Sequence, residues 1–207
     1  MRRIGHRGAK AHAPENTIAS FQKALDLGCD EIETDVWLMD GDALVISHDR
    51  PASVAGLLTL DDVLDFCRGR MAVNVELKCG QSDAQAAVSG ERVARHLRRR
   101  ADADVYVSSF WYPALAAARA AAPAVRRAFV FGAAPDMDAL LMQARALELW
   151  ALHPEHWYVT PERVAAAHAA GLVMNAWTVN DPAEIATLAG WGVDGIMSDH
   201  PERVPKG

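Results

Sequence analysis

Short strand-like runs alternate with helical stretches along nearly the whole 207-residue chain. This alternation is typical of a parallel α/β architecture, because each helix carries the chain back so that the next strand can run in the same direction. The predicted strands occupy residues 3–6, 31–38, 44–46, 72–78, 105–108, 128–131, 149–152, 172–178 and 195–197. The predicted helices occupy residues 16–27, 60–67, 83–100, 113–121, 137–147, 161–169 and 182–189.

The third predicted strand differs from the others, because Asp40-Gly41 is a turn-forming dipeptide that folds it back on the second strand as a hairpin. The eight remaining strands predict a compact (β/α)8 TIM barrel, formed by residues 1–207 as a single domain. A doubly wound sheet is the rival architecture, but no strand is followed by a GxGxxG or Walker-type loop. Only about ten residues follow the last strand, so the eighth helix is expected to be short or missing.

The composition favours a protein that acts on a small molecule. A formal net charge of -6 gives no basic surface for a nucleic acid or an anionic membrane. Three cysteines without CxxC spacing disfavour a disulfide framework and a zinc site, and they suit a reducing compartment. No uncharged run reaches the roughly 18 residues of a membrane helix, and charges interrupt the N-terminal segment. We therefore expect a cytoplasmic protein without stable membrane insertion, and the oligomeric state stays open.

Two of the predicted strands are polar on the face that a barrel turns inward. A buried parallel strand is usually apolar on both faces, because helices cover one side and the barrel interior the other. Here every second residue is polar while the residues between are apolar or Thr, which places the polar side chains on one face. They are Glu31, Glu33 and Asp35 in the second strand and Asn74, Glu76 and Lys78 in the next long one.

Carboxylates inside a barrel need a positive partner, because an isolated buried charge costs many kcal/mol. Glu33, Asp35 and Glu76 lie towards the C-terminal ends of their strands, where acids at alternate positions can reach one ion. Such hard oxygen ligands favour Mg²⁺ or Ca²⁺ over zinc. The alternative is an edge strand with a solvated acidic face, which a closed barrel does not have.

Two histidines stand out because they follow strands. His6 ends the first strand and is succeeded by Arg7, which places an acid/base group beside a guanidinium that can bind an anion. His48, followed by Asp49, closes the hairpin after the second strand. We interpret the other histidines as surface or packing residues.

Eight short motifs follow one another through nearly the whole chain. They are Gly5-His6-Arg7-Gly8, Pro14-Glu15-Asn16-Thr17, Glu33-Thr34-Asp35, His48-Asp49, Val75-Glu76-Leu77-Lys78, Ser108-Ser109-Phe110, Ala176-Trp177-Thr178-Val179-Asn180 and Val193-Asp194-Gly195-Ile196-Met197-Ser198-Asp199. Each motif alone is weak, but their order and spacing together resemble the glycerophosphodiester phosphodiesterase family.

The resemblance implies a TIM-barrel hydrolase that cleaves a phosphodiester of glycerol 3-phosphate, releases an alcohol and uses a divalent metal, Mg²⁺ or Ca²⁺. It leaves open whether water or the substrate's own glycerol hydroxyl attacks the phosphorus. By position, the implied roles are metal ligands for Glu33, Asp35 and Glu76, a general acid/base pair for His6 and His48, phosphate binding for Arg7 and Lys78, and an apolar wall beside the glycerol or leaving group for Trp177.

The chain departs from the family in one place. Members carry an insertion after the His-Asp motif that caps the barrel mouth, and here residues 50–58 lead almost directly into the segment that normally follows it. An open mouth keeps two further hypotheses in view. One is activity on lysophospholipids or other bulky phosphodiesters. The other is a non-catalytic binding barrel, which would be expected to lack a metal or acid/base residue, yet all of them are present.

Overall fold

The structure, a computed structural model, describes residues 1–80, 82–100 and 102–206. Within these residues, strands and helices alternate as the sequence predicts. The strands are β1 (Arg2–Gly5), β2 (Glu31–Leu38), β3 (Leu44–Ile46), β4 (Ala72–Lys78), β5 (Val105–Ser109), β6 (Arg127–Phe131), β7 (Ala151–Pro154), β8 (Val173–Ala176) and β9 (Gly195–Ser198). The helices are α1 (Ile18–Asp26), α2 (Leu60–Cys67), α3 (Asp83–Arg98), α4 (Tyr112–Ala121), α5 (Met137–Ala146), α6 (Pro161–Ala169) and α7 (Pro182–Gly190).

Eight strands form a closed parallel barrel. Their order is β1-β9-β8-β7-β6-β5-β4-β2, and the pairing of Ile4 in β1 with Glu31 in β2 closes the ring. β3 pairs antiparallel with β2 and lies beside the barrel. After β9 the described chain, which extends to residue 206, forms a 3₁₀ turn over Pro201–Arg203 and no further α-helix. The predicted (β/α)8 fold is therefore confirmed, and the 3₁₀ turn stands where a short or missing eighth helix is expected.

The segment that follows the hairpin is short and folds back onto it. The amide of Ile46 donates to the carbonyl of Leu58 at 2.9 Å, and Val45 forms an isolated antiparallel bridge with Thr59. Thr59 then caps α2 by accepting from the amide of Asp62. The chain thus enters α2 without a cap over the barrel mouth, which is the end of the barrel where the strands reach their C-termini.

Several element boundaries differ from the prediction by one or two residues, and two of these differences have a clear local reason. α1 begins at Ile18 rather than Asn16, because Thr17 is the N-cap and forms a capping box with Ser20. Asn16 instead has a φ of 57°, in the left-handed region. β7 begins at Ala151 rather than at Leu149. The backbone amide of Leu149 instead donates to the carbonyl of Ala144 and so completes the end of α5.

Glu31 lies at the end of the barrel opposite the mouth, apart from the other two acids of β2. Its side chain is fully buried and accepts a 2.5 Å hydrogen bond from the hydroxyl of Tyr106. Arg2 Nη1 lies 3.3 Å from its second oxygen. The inward acids of β2 therefore belong to two separate polar clusters.

None of the helices in the described residues has the length and apolar character that a membrane span requires.

Candidate active site

Three carboxylates from adjacent strands converge at the barrel mouth. β2 and β4 are in register with Asp35 opposite Glu76, and Glu33 lies two residues earlier on the same face of β2. One oxygen from each of the three lies within 4.8 Å of one from each of the others. Glu33 and Asp35 are almost completely buried, and the side chain of Glu76 is 13% exposed. The structure brings together the three residues predicted as metal ligands.

Two basic side chains contact this carboxylate cluster. Lys78 Nζ lies 2.6 Å from Glu76 Oε1 and 3.0 Å from Asp35 Oδ1. Arg7 places Nε 3.3 Å from Asp35 Oδ2, and its backbone amide donates to Glu33 Oε2 at 3.0 Å. Glu33 Oε1 is buried and accepts no hydrogen bond from the described residues. The cluster therefore holds three acids against two bases, and within the described chain Glu33 Oε1 is left without a donor.

The electrostatics of the cluster favour an additional cation. Burial, reinforced by Asp35 and Glu76, raises the pKa of Glu33 well above its usual value. Burial also raises the pKa of Glu76, although Lys78 opposes the shift. Burial alone would lower the pKa of Lys78, but Glu76 and Asp35 outweigh it and the pKa rises. Three oxygen donors with an uncompensated charge and a free oxygen fit a hard divalent ion such as Mg²⁺ or Ca²⁺.

His6 is oriented by a carboxylate that the sequence analysis did not assign. Its Nδ1 lies 2.6 Å from Asp199 Oδ1, just beyond the end of β9. Asp199 also accepts from the Asn180 amide at 2.9 Å, while Asn180 Oδ1 accepts from the Asp199 backbone and from Ser198 Oγ. Burial would raise the pKa of Asp199, but the bonds from His6 and Asn180 lower it to about 2. An ionised Asp199 therefore faces the imidazole at neutral pH.

Asn16 is a second residue of the site that the sequence does not predict. Its side-chain amide donates to Asp35 Oδ2 at 2.8 Å, and its carbonyl oxygen accepts from Thr34 Oγ1 at 2.8 Å. Its backbone amide donates to the carbonyl of Arg7, which has a φ of 51°. Glu15 meanwhile accepts two 3.1 Å bonds from Arg7 Nη1. The loop between β1 and α1 therefore positions Arg7 and Asp35 together.

The other two predicted site residues lie in different settings. His48 is 38% exposed, with Nδ1 2.9 Å from Asp49 Oδ1, and its carbonyl accepts from Trp37 Nε1. Trp177 is held by a 2.8 Å bond from Nε1 to the carbonyl of His153, and its ring meets Phe110 edge to face at 5.5 Å. Trp177 lines the central cavity of the mouth, whereas His48 is not among the described residues that line it.

This central cavity measures about 20 Å³ and receives residues from strands all round the barrel. Burial lowers the pKa of His153, on its wall, to about 3, so this imidazole is neutral at physiological pH. The lining consists of His6, Glu33, Asn74, Glu76, Ser108, Val130, His153, Trp177 and Met197.

A larger groove adjoins the carboxylate cluster. It measures about 280 Å³ and runs from Lys78 between the end of β2 and the start of α3. Its apolar wall includes Trp37, Leu38 and Val88, the last of which is 48% exposed. Lys78 therefore belongs both to the cluster and to an apolar surface beside it.

Comparison with known proteins identifies the arrangement. The model of the glycerophosphoryl diester phosphodiesterase family matches residues 6–57 and 50–203. The chain belongs to this family. A glycerophosphodiester phosphodiesterase of Bacillus altitudinis is 30% identical over 98% of this chain and 96% of its own length. One from Caldanaerobacter subterraneus is 27% identical over 96% and 94%, respectively.

Solved structures of the family agree. A phosphodiesterase of Oleispira antarctica, solved with the product sn-glycerol-3-phosphate, has a TM-score of 0.86 and 26% identity, covering 97% of this chain and 94% of that one. A glycerophosphodiester phosphodiesterase of Parabacteroides distasonis has a TM-score of 0.85 at 22% identity, with 97% and 93% covered, and supports the fold.

These findings confirm the predicted family and enzyme class, and they disfavour the non-catalytic barrel. They also bear on the predicted departure from the family. The two matched segments of the family model overlap at residues 50–57, the segment in which the cap insertion is expected to be nearly absent. The Bacillus altitudinis alignment spans 242 residues, longer than this chain, so it contains gaps.

Proposed function

We propose that this enzyme hydrolyses glycerophosphodiesters to glycerol 3-phosphate and an alcohol, with a divalent metal and with His6 and His48 as the acid/base pair. The observation that carries the proposal is the meeting of Glu33, Asp35 and Glu76 at the mouth of the barrel. Arg7 and Lys78 contact these carboxylates and can bind phosphate. His6, whose ring is fixed by Asp199, lines the same cavity. Family membership and the product bound to the Oleispira antarctica relative support the choice of substrate.

Glu33, Asp35 and Glu76 would hold Mg²⁺ or Ca²⁺. When bound, the ion supplies positive charge that stabilises the non-bridging oxygens of the phosphoryl group as they gain negative charge. Arg7 and Lys78 add to this stabilisation. Lys78 contacts Glu76 and Asp35, and Arg7 contacts Asp35 and Glu15, so both bases are held in place before substrate arrives.

The chain's own proton transfers fall to the two histidines. Phosphodiester cleavage needs one group to remove a proton from the nucleophile and another to give a proton to the departing alkoxide. Nδ1 of His6 is hydrogen-bonded to Asp199. Nε2 is therefore the nitrogen that exchanges a proton with substrate. His48 has the same arrangement with Asp49. Trp177 and Phe110 form an aromatic wall for the carbon skeleton of the glycerol or the alcohol.

The test is release of glycerol 3-phosphate from glycerophosphocholine and glycerophosphoethanolamine. Release should stop after chelation and return when Mg²⁺ or Ca²⁺ is restored. His6→Ala and His48→Ala should each lower the metal-restored rate by about 100-fold or more. Absence of release from folded protein with either ion would refute the proposed substrate. A wild-type rate in one variant would remove that histidine from the mechanism.

The groove favours a second candidate, a lysophospholipid or another phosphodiester with a bulky alcohol. Its lining begins at Lys78, where the proposed phosphate site ends, and continues along apolar side chains. An acyl chain or other apolar alcohol could therefore lie along Trp37, Leu38 and Val88 while the phosphate contacts Lys78. Burial of such surface contributes about 25 cal/mol per Å².

Val88→Asp distinguishes the two candidates, because it places a carboxylate on the groove wall. It should lower kcat/KM for lysophosphatidylcholine by about tenfold and leave the value for glycerophosphocholine nearly unchanged. Met142→Asp is the control, since Met142 is 71% exposed on α5 and does not line the groove. Hydrolysis of lysophosphatidylcholine without hydrolysis of glycerophosphocholine would favour the bulky substrate. Equal effects of Val88→Asp on both substrates would contradict the groove's role.

A further inference from the structure

A second group of potential ligands lies outside the carboxylate cluster. His12 belongs to the loop between β1 and α1, while His200 and Glu202 follow β9. His12 Nε2 lies 2.9 Å from Glu202 Oε2, and His200 Nδ1 lies 3.4 Å from Glu202 Oε1. One ligand atom from each residue falls within 4.8 Å of the others. Two imidazoles thus face one carboxylate.

The spacing of these atoms is close to that of a metal site. Zinc binds imidazole nitrogen at about 2.0–2.1 Å and carboxylate oxygen at about 2.0–2.2 Å, so tetrahedral ligands lie roughly 3.3–3.5 Å apart. Small side-chain adjustments would bring all three atoms to that spacing. The imidazole rings of His12 and His200 are 83° apart with centroids at 5.6 Å, so they approach edge to face rather than stack. No cysteine takes part.

Other surface histidines of this protein show what ordinary pairing looks like. His168 Nε2 lies 2.9 Å from Asp194, and no second histidine of the described chain shares that carboxylate. Glu202, by contrast, is shared by two imidazoles. Each of the three side chains is about one third exposed, so an ion can reach them from solvent.

The backbone around the three residues is held by other contacts. The amide of Ala11 donates to the carbonyl of Asp199 at 3.1 Å. The amide of His12 donates to the carbonyl of Ala9. The amide of Arg203 donates to the carbonyl of His200 at 3.0 Å. The two segments are therefore already docked together, which lowers the conformational cost of binding an ion.

We propose that His12, His200 and Glu202 form a second metal site, for a transition metal of the Zn²⁺ type. Imidazole nitrogen suits such ions, whereas Mg²⁺ and Ca²⁺ prefer all-oxygen sets. Three protein ligands leave a fourth position for water. Because His200 directly follows Asp199, the bound ion would tie the loop after His6 to the segment that orients His6.

The experiment is a calorimetric titration of Zn²⁺ into protein kept saturated with Mg²⁺, which occupies the acidic cluster. We expect one Zn²⁺ per chain in the wild type. Loss of a residue that merely hydrogen-bonds a metal ligand already weakens metal binding about 10–100-fold, so loss of a ligand itself in His12→Ala or Glu202→Gln should weaken it at least that much. His168→Ala, which removes a comparable surface histidine, should bind Zn²⁺ like the wild type.

Two outcomes would overturn the proposal. One is Zn²⁺ binding that survives in His12→Ala and His200→Ala but is lost in Glu33→Gln, because the ion then occupies only the acidic cluster. The other is no saturable Zn²⁺ binding in the wild type. Folding of the variants is checked through thermal unfolding: added Zn²⁺ should raise the Tm of the wild type and of His168→Ala, and leave that of a folded His12→Ala unchanged.

Discussion

Nδ1 of His6 lies 2.6 Å from Oδ1 of Asp199, so a partly buried carboxylate directly after β9 fixes the ring of the histidine at the barrel mouth. Asp199 has its pKa lowered to about 2 by the bonds from His6 and Asn180, which outweigh burial. It is therefore ionised at neutral pH and accepts the Nδ1 proton. In the proposed mechanism, this contact leaves Nε2 as the nitrogen that exchanges a proton with substrate.

Asp199→Asn should lower kcat by about 100-fold with little change in KM, because an amide can turn its NH₂ towards Nδ1 and stabilise the wrong tautomer. Steady-state kinetics on glycerophosphocholine would measure the split. Asp49→Asn is the matched control: Asp49 contacts His48 at 2.9 Å in the same way, but its side chain is 95% exposed. The exposed His48–Asp49 pair should contribute less to kcat than the partly buried His6–Asp199 pair, so Asp49→Asn should lower kcat less than Asp199→Asn does.

An equal loss of kcat in both Asp variants would show that the burial of Asp199 does not matter. An unchanged kcat in Asp199→Asn would remove the residue from the mechanism.

Glu33→Gln should weaken Mg²⁺ or Ca²⁺ binding by at least about tenfold, because it removes one of three charged oxygen ligands. The raised pKa of Glu33 adds a pH dependence. Ions bind the deprotonated carboxylate, so wild-type affinity should be greater at the higher of two pH values chosen above the ordinary pKa of a glutamate. The increase should be smaller in Glu33→Gln. Calorimetric titration of the ion at both pH values provides the measurement.

Glu31→Gln is the control for this experiment, since Glu31 lies on the same face of β2 but bonds Tyr106 at the opposite end of the barrel. It should bind the ion like the wild type. Weaker binding in Glu31→Gln, or unchanged binding in Glu33→Gln, would contradict the assignment of ligands.

The sequence predicts the barrel and its carboxylate cluster because both follow from short-range rules. The period of two places Glu33 and Asp35 on one face, and closure of the barrel gives that face no solvent. The register that sets Asp35 opposite Glu76 is then a consequence of parallel pairing between neighbouring strands. Helix and strand boundaries shift by only one to a few residues because capping depends on side chains such as Thr17.

Asn16 and Asp199 escaped prediction because their partners are remote in sequence or hidden by a local signal. Asp199 bonds His6 across 193 positions, and no periodic pattern connects the two. Asn16 precedes an apolar helical run, which favours an N-cap, but the left-handed backbone turns its side chain to Asp35. Both lie within motifs that resemble those of the family, and the position of Asp199 directly after a strand was a further signal for that residue alone.

Trp177→Ala should raise KM for glycerophosphocholine several-fold with a smaller change in kcat, because an aromatic wall of the kind proposed contributes mainly to binding. Trp177→Phe keeps a ring against Phe110 but loses the bond from Nε1 to the carbonyl of His153. Its KM should lie between those of the wild type and Trp177→Ala. Steady-state kinetics decide the matter, and an unchanged KM in Trp177→Ala would place the substrate elsewhere in the mouth.

Glu31 should make the protein less stable as the pH rises from about 5 to about 8. Burial raises its pKa from 4.5 to about 7, despite the bond from Tyr106 and the charge of Arg2. The folded protein therefore keeps a proton that the unfolded chain releases above its ordinary pKa. The resulting stabilisation is complete below about pH 4.5 and is lost as the pH rises through about 7, a change of about 3 kcal/mol.

Urea unfolding of the wild type and Glu31→Gln, at about pH 5 and about pH 8 and with metal chelated in both, measures this contribution. The glutamine keeps an acceptor for Tyr106 and cannot ionise, so titration of all other groups cancels in the comparison. The loss of unfolding free energy over this range should be smaller in Glu31→Gln by about 2–3 kcal/mol. Parallel pH profiles would mean that the Glu31 carboxyl has the same pKa in the folded and unfolded chain, in spite of its complete burial.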